Sequence, residues 1–247
     1  MHIPDGYLGP LTYVAMYIIM IPIWLYAGTW LRKNLKSKQV PYLALAAAFS
    51  FVIMMFNVPI PWGSTGHAVG SGLVAIILGP WVAVVTTSVA LLIQCLLFGD
   101  GGITAFGANC FNMAVVIPFV AFYGYKFISG KTEIASKRRV LAAGIGGWLG
   151  LTVAAGVAGF EMGIQPILEH TADGVPLYMP YGLGLTVPWM IFSHAIFFSI
   201  VEAIITALAF RYIARTDPTI IFNYKRAGEK GGRQNNVTSV TRGDVHG

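Results

Sequence analysis

The stretch LTYVAMYIIMIPIWLYAGTWL at residues 11–31 contains no charged side chain, and it decides the class of fold. An α-helix rises 1.5 Å per residue, so about 20 apolar residues span the roughly 30 Å hydrocarbon core of a bilayer. The whole chain has the same character, because 56% of its 247 residues are hydrophobic and only 11% are charged. Soluble domains carry about 25% charged residues. The sequence therefore predicts a protein that crosses a membrane several times.

Six further apolar runs follow the first, separated by charged residues, glycine or proline. The predicted spans are Leu11–Leu31, Tyr42–Val58, His67–Leu78, Trp81–Phe98, Phe106–Phe127, Val140–Phe160 and Thr186–Phe210. We expect an all-α integral membrane protein whose seven transmembrane helices form one domain over residues 1–213. Residues 214–247 are polar and rich in glycine, which predicts a disordered cytoplasmic tail.

The basic residues indicate the orientation of these helices. All sixteen Lys and Arg residues fall in three clusters, at 32–38, at 126–139 and from 211 onward. Cytoplasmic loops of membrane proteins carry an excess of Lys and Arg. We therefore predict an external N-terminus, a cytoplasmic C-terminus and a location in the inner membrane of a bacterial cell. The formal net charge of +6 then reflects this topology, and no nucleic-acid partner is expected.

The third predicted span is unusually short. The twelve residues His67–Leu78 would form a helix of only about 18 Å, so His67 would begin well below the outer surface. The preceding residues, 59–66, would then be irregular backbone at membrane depth. Such backbone is tolerated only where protein covers it or where it lines a cavity.

The chain starts with Met1-His2, and we expect the methionine to be retained with a free amine, because His2 is too large for its removal. The Met1 amine, the His2 backbone nitrogen and His2 Nδ1 can close two chelate rings around one cation. One further imidazole would complete a square, and square-planar nitrogen sites suit Ni(II) or Cu(II). His67 is a candidate, since ionisable residues within a membrane are functional by default. Gly6 and Gly9 would let the N-terminal segment turn back towards it.

The opening residues MHIPDG (1–6), together with Gly66-His67, GDGG (99–102) and GAN (107–109), resemble the CbiM/NikM substrate-binding components of energy-coupling-factor transporters. The resemblance covers about residues 1–213. It implies a six-helix core with an extra N-terminal helix, and a subunit that binds Ni(II) or Co(II) from outside with high affinity. It implies as partners a transmembrane coupling protein, two ATPase subunits and often a small additional membrane subunit. It also implies that Met1, His2 and His67 hold the metal.

The geometry favours nickel as the transported ion. Low-spin d⁸ nickel gains most from a square of nitrogen donors, whereas cobalt more often takes tetrahedral or octahedral donor sets. Co(II) is therefore the second choice, and no organic cofactor is expected. Cu(II) is the strongest competitor for such a site, because it stands above Ni(II) and Co(II) in the Irving–Williams order of affinities.

Several polar residues are candidates for supporting the metal ligands. Ser64 and Thr65 precede His67 and could bond its free nitrogen or cap the following helix. Asn109 could line the site or only pack between helices. His194 and Glu202 share a face of the last span, where His194 could be an alternative ligand, support the metal loop, or form a polar network with Glu202.

No ATPase motif occurs in the chain, because Gly130-Lys131-Thr132 lacks the first glycine of a phosphate loop, which Tyr125 replaces. ATP hydrolysis is therefore expected from partner subunits. Ala44 and Ala48 form a small-xxx-small pair, which could contact the coupling protein or another helix of this chain.

Two other functions compete with a metal-binding subunit. The first alternative is a stand-alone, proton-coupled metal permease, which would need His194 and Glu202 as a relay. The second is an intramembrane hydrolase that uses Ser64 and His194, although nothing in the sequence identifies an oxyanion hole. The chain itself is not expected to be an enzyme.

Overall fold

The computed structural model describes residues 1–35 and 39–222, and this part of the chain is mainly helical. The helices are α1 (Pro10–Asn34), α2 (Val40–Met54), α3 (Ser71–Leu78), α4 (Pro80–Ile93), α5 (Phe106–Cys110), α6 (Ile117–Ser129), α7 (Lys137–Gly163), α8 (Gln165–Leu168), α9 (Leu183–Ser193) and α10 (Ser199–Thr216). Three π-helical turns interrupt or extend them: Gln94–Phe98 after α4, Phe111–Val116 between α5 and α6, and His194–Phe198 between α9 and α10.

Five helical segments in the described residues are long and apolar enough to cross a membrane: Pro10–Asn34, Pro80–Phe98, Phe106–Ser129, Lys137–Leu168 and Leu183–Thr216. Large apolar side chains on their outer faces are exposed, which suits contact with lipid but not with water. The prediction of a multi-span membrane protein is confirmed. α2 is apolar but has only 15 residues, and α3 has eight. The count of seven spanning helices, the six-helix core and the orientation stay predictions.

The third predicted span is wrong at its start. The helix begins at Ser71 instead of His67. Gly70 has a φ of +74°, a left-handed conformation through which a right-handed helix does not continue. The backbone N–H groups of Val69 and Gly70 donate to the carboxylate of Glu202 in α10, so they are satisfied without helical partners. His67 therefore lies in non-helical backbone ahead of α3.

Residues 59–66, predicted as irregular, contain part of a two-stranded antiparallel ribbon. β1 (Val58–Pro59) pairs with β2 (Thr65–Gly66). The all-α prediction misses this ribbon, because two-residue strands leave no alternating pattern in a sequence. The ribbon fixes the backbone immediately before His67.

α7 is the helix around which α6, α9 and α10 pack, and its glycines allow close approach. A Cβ atom added at Gly146 would lie 2.7 Å from the carbonyl oxygen of Ala121, and one at Gly150 would lie 2.8 Å from that of Ile117. Both distances are shorter than van der Waals contact. Small residues let membrane helices approach backbone to backbone, so this face of α7 fixes the position of α6.

Glu161, which follows the end of the predicted span Val140–Phe160, lies inside α7 and is 5% exposed. Its Oε2 accepts a hydrogen bond of 2.6 Å from Asn112 Nδ2. A buried polar group is tolerated when it is hydrogen-bonded, and the helix therefore continues past the apolar run to Gly163.

Ordered structure also continues beyond residue 213, where the membrane domain was predicted to end. α10 runs to Thr216, and a 3₁₀ turn covers Pro218–Ile220. Ile221 is buried, and the backbone N–H of Phe222 donates to the carbonyl of Ile77. The start of the predicted tail therefore packs on the bundle. Residues 223–247 lie outside the described residues.

Candidate metal centre

The N-terminal segment, residues 1–9, folds back into the bundle. Met1 and Ile3 are fully buried, and His2 is 2% exposed. Gly6 has a φ of +82° at the reversal, a conformation that favours glycine. Gly9 then donates its backbone N–H to Gln165 Oε1 at 2.9 Å, so the segment meets α8 just before α1 begins.

Side chains and backbone from the 99–109 region hold this segment in place. Asn109 Oδ1 accepts from the N–H of Ile3 at 2.8 Å, and Asn109 Nδ2 donates to the Ile3 carbonyl at 3.0 Å. The backbone N–H of Gly102 donates to the same carbonyl. Asp5 accepts from the N–H groups of Ile103 and Thr104. These hydrogen bonds hold the N-terminal segment at Ile3 and at Asp5, next to the candidate chelator.

The nitrogens of the chelator converge on β2. The Met1 amine and the His2 backbone N–H both donate to Thr65 Oγ1, at 2.9 and 3.1 Å. The His2 ring stacks on the His67 ring with a centroid distance of 4.6 Å and an interplanar angle of 26°. The two ends of the stretch from Met1 to His67 therefore come together. They bring one amine, one backbone nitrogen and two imidazole rings into the same place.

The imidazole nitrogens are in states that suit metal binding. His67 Nδ1 lies 2.9 Å from the carbonyl oxygen of Ala68, and because a carbonyl only accepts, the proton of His67 belongs on Nδ1. His67 Nε2 then carries a free lone pair, and it has no hydrogen-bond partner among the described residues. His2 Nδ1 makes no hydrogen bond of normal geometry there either, but it lies 3.3 Å from Asp100 Oδ1.

Burial shifts the pKa values of the titratable groups in and beside the N-terminal segment. Burial lowers the pKa of the Met1 amine well below its ordinary value, although the nearby Asp100 raises it in part. Burial, and then the charge of that amine, lower the pKa of His2 to about 3. Burial raises the pKa of Asp100, against the effects of the amine and of Asn57. Both His2 and the amine therefore favour the neutral form in which nitrogen can donate to a metal.

Side chains alone do not form a metal site in the part of the chain that the structure describes. No group of three or more His, Cys, Asp or Glu side chains there could hold an ion. A site at this place requires the main-chain nitrogens of Met1 and His2 in addition to the two imidazoles. That donor set consists of nitrogen alone, as the sequence predicts for Ni(II).

The other candidate residues lie in different places. Thr65 contacts the Met1 amine and the His2 amide, not the free nitrogen of His67. Ser64 is buried, and its Oγ has no partner among the described residues. His194 is buried, with Nδ1 at 2.9 Å from the Met190 carbonyl.

Glu202 and the alanine pair lie apart from the four nitrogens. Glu202 accepts from the loop after His67, so its described partners differ from those of His194. Ala44 and Ala48 are exposed on α2, along a shallow groove of about 310 Å³.

The sequence places Asp5 and Asp100 only among the acidic residues of the external loops, and it does not predict their contacts with the N-terminal segment or the loop-holding role of Glu202. All three are acidic, and in a sequence they resemble solvated or packing carboxylates. Asp100 lies within the GDGG motif of residues 99–102, and that glycine-rich setting was the available signal. The positive φ of Gly99 and Gly101 explains the glycines on either side of it.

A family model described as "CbiM: Cobalt uptake substrate-specific transmembrane region" matches residues 2–220. The "Fused nickel transport protein NikMN" of Rhodobacter capsulatus is 49% identical over 221 residues, which are 90% of this chain and 64% of that protein. The "Probable fused nickel transport protein LarMN" of Lactiplantibacillus plantarum is 47% identical over 224 residues, which are 90% and 67%. The chain thus spans about two thirds of the length of these two relatives.

Two solved structures are similar over nearly their whole length. One, described as a truncated transition metal transporter, has a TM-score of 0.82 and 48% identity, and the match covers 86% of this chain and 98% of that one. The other, described as a transition metal transporter, has a TM-score of 0.84 and 48% identity over 88% and 94% of the two chains.

Proposed function

The chain belongs to the CbiM family of substrate-specific transmembrane regions, and from this premise we propose that it is the ion-binding membrane subunit of an ATP-driven importer of the energy-coupling-factor type. It is a multi-pass protein of the cell membrane. Its cargo is Ni(II), with Co(II) as a second ion. Relatives named as nickel transport proteins support this choice.

The observation that carries the proposal is the convergence of four nitrogen donors. The Met1 amine and the His2 amide point at one oxygen, Thr65 Oγ1, and the His2 and His67 rings stack beside them. In the loaded form the amine, the deprotonated amide, His2 Nδ1 and His67 Nε2 would occupy the corners of a square. The Ala68 carbonyl would keep the His67 proton on the opposite nitrogen, as metal-bound imidazoles usually require.

The charge of such a complex suits a buried place. Only the His2 amide contributes a negative charge, so a divalent ion in this square carries a net charge of about +1. Burial of a bare dication would be far more unfavourable. A planar set of four strong nitrogen donors favours Ni(II) over Co(II), because low-spin nickel prefers square-planar geometry.

The energy for uptake would come from other subunits. We propose a transmembrane coupling protein, two ATPase subunits and a small additional membrane subunit as partners, and no catalytic role for this chain. Ala44 and Ala48 are exposed, so another helix can approach α2 closely there. The pair is our candidate for the contact with the coupling protein.

The alternative is a stand-alone, proton-coupled permease, whose relay would include His194 and Glu202. The contacts of Glu202 with Val69 and Gly70 support a structural role, since a carboxylate that holds a loop is poorly suited to a proton relay. Vesicles that contain only this chain and accumulate nickel under a proton gradient would establish the permease instead.

The proposal is tested by blocking the N-terminal amine. Purified protein with its native start is compared with a form that carries one extra alanine before Met1, and with His67→Ala. The exposed His170 gives the control variant His170→Ala, which removes an imidazole from a surface position. Nickel binding is followed by the yellow absorbance of a diamagnetic, four-nitrogen complex.

We expect the native form and His170→Ala to give this absorbance with high affinity, and the extended form and His67→Ala to lose it. Unchanged nickel affinity in the extended protein would rule out the square of nitrogens. Binding by the extended form without the square-planar absorbance would do the same, since the ion would then have other ligands.

A further inference from the structure

Asp100 is a partly exposed carboxylate beside the buried ring of His2. It lies in the loop between the π-helical turn at Gln94–Phe98 and α5. Its side chain is 23% exposed, whereas the His2 side chain that it contacts is 2% exposed. The distance from Asp100 Oδ1 to His2 Nδ1 is 3.3 Å. An ion that reaches this carboxylate from solution is therefore one short step from a buried donor nitrogen.

The structure holds this carboxylate in a fixed position. Asn57 Nδ2 donates to both of its oxygens, at 3.0 and 3.2 Å, and the Asp100 backbone N–H donates to the Gln94 carbonyl. A Cβ atom at the adjacent Gly101 would lie 3.2 Å from His2 Cδ2, so the loop packs tightly against the imidazole. A solvated surface carboxylate has no need of such support.

The chemistry of a carboxylate differs from that of the square. One oxygen can replace a water of a hydrated divalent cation without imposing planar geometry, because carboxylates suit many metals. Nitrogen donors then displace the oxygen and select the metal. A carboxylate beside the square also balances the single positive charge that we propose for the loaded complex.

We infer that Asp100 is a capture ligand, which binds the hydrated divalent cation at the outer surface, transfers it to His2 Nδ1, and then remains as the counter-charge of the loaded site. This inference rests on the proposed function. In the transfer the ion exchanges one water for Asp100 Oδ1, and then exchanges Oδ1 for Nδ1. The carboxylate is not a corner of the final square.

The inference is tested by association kinetics. Nickel chloride is mixed rapidly with native-start protein in detergent at several NaCl concentrations, and formation of the four-nitrogen absorbance is followed. The wild type is compared with Asp100→Asn and Asp100→Glu. The matched control is Asp173→Asn, which removes the same charge from an exposed position in the loop after α8.

We expect Asp100→Asn to associate with nickel several-fold to about tenfold more slowly at low salt, since a cleft lined by charge of the opposite sign raises association rates by about 10- to 10³-fold and Asp100 supplies one such charge. The position of its absorbance band should not change. Asp100→Glu should recover part of the rate, and Asp173→Asn should keep the wild-type rate. Added salt should slow the wild type, although the formal net charge of +6 would by itself make salt accelerate binding of a cation.

Three results would overturn the inference. These are an Asp100→Asn rate equal to the wild type, equal slowing in Asp173→Asn, and a shifted absorbance band that makes Asp100 part of the square. If Asp100→Asn does not fold, the wild-type salt dependence decides, because a rate that rises or stays constant with salt excludes capture by a carboxylate. A wild type that binds no nickel would instead refute the proposed function.

Discussion

Asn109 pairs with both polar backbone atoms of Ile3, as a neighbouring strand would do. Both hydrogen bonds are buried, and Ile3 is the residue next to His2. One amide side chain from α5 therefore supplies two of the hydrogen bonds that position the candidate chelator. Buried backbone groups that lose their partners cost about 1–3 kcal/mol each, so a change at this residue should affect the metal site through the backbone alone.

We predict that Asn109→Ala lowers nickel affinity roughly thirtyfold, because about 2 kcal/mol of anchoring is lost and 1.4 kcal/mol corresponds to tenfold. The absorbance of the bound complex should keep its wavelength, since no metal ligand changes. A nickel titration in competition with a chelator measures the effect. Asn34→Ala, which removes an exposed amide at the far end of α1, should leave the affinity unchanged. Wild-type affinity in Asn109→Ala would refute this role.

The three π-helical turns are the common feature at the scale of secondary structure. Each includes a buried polar side chain, Gln94, Asn112 or His194. Such turns frequently mark functional sites. Gln94 Nε2 donates to the Phe51 carbonyl, Asn112 Nδ2 donates to Glu161, and His194 Nδ1 lies 2.9 Å from the Met190 carbonyl. Each turn thus carries a polar side chain that is buried and hydrogen-bonded inside the bundle.

The loop at residues 99–102 is the second element on which the site depends, since it packs directly on the N-terminal segment. A Cβ atom at Gly102 would lie 2.4 Å from the backbone nitrogen of Asp5 and 2.3 Å from its Oδ1. Backbone cannot move aside as a flexible side chain can. Hydrogen bonds from Ile103 and Thr104 also lower the pKa of Asp5, although its partial burial alone would raise it.

We predict that Gly102→Ala separates the loop from the N-terminal segment and lowers nickel affinity about tenfold or more, because the Gly102–Ile3 hydrogen bond and the Asp5 contacts are lost together. Increased protease cleavage near the N-terminus should accompany the loss. Gly28→Ala in α1 is the control, since no atom lies within 4 Å of its added Cβ, and its affinity should equal the wild type. Equal protection and affinity in Gly102→Ala would contradict the prediction.

At the scale of the whole molecule, the nitrogen site and the alanine pair lie on different elements: the site on the N-terminal segment and the loop before α3, and the pair on α2. α1 begins next to the site and, with 25 residues, runs about 37 Å before the chain turns into α2. Ala44 lies in the first half of α2, and Ala48 lies just past its middle. The proposed contact with a partner and the proposed metal site therefore use separate surfaces, and it should be possible to disturb one without the other.

We predict that Ala48→Trp weakens co-purification with the proposed coupling protein and leaves nickel binding intact, because an indole at an exposed small residue blocks helix approach. Ile18→Trp, at a position of α1 that is 65% exposed, should leave assembly unchanged. Pull-down of the coupling protein and nickel titration on the same preparations measure both effects. Lost nickel binding with intact assembly would refute the assignment of Ala48.

Local features of the sequence were sufficient for the membrane character and for the choice of candidate ligands. Apolar runs such as residues 11–31 indicate segments that partition into lipid, and a histidine at position 2 is a candidate chelator because covalent bonds hold it next to the Met1 amine. The start of α3 was not predictable in this way, because it depends on Glu202, 132 positions beyond Gly70. The extension of α7 past Phe160 likewise depends on a buried amide from another helix.

The sequence by itself determined a chain that must lie in a membrane, with a candidate chelator at Met1-His2 and a histidine within its apolar part. Only the tertiary structure decided that the two histidines lie side by side. It depends on long-range hydrogen bonds: the Met1 amine donates to Thr65, 64 positions away, and the Ile3 N–H donates to Asn109, 106 positions away. The physical reason is range: hydropathy and chelate rings depend on neighbours in the chain, whereas the placement of four nitrogens depends on hydrogen bonds between distant segments that form only when the helices pack.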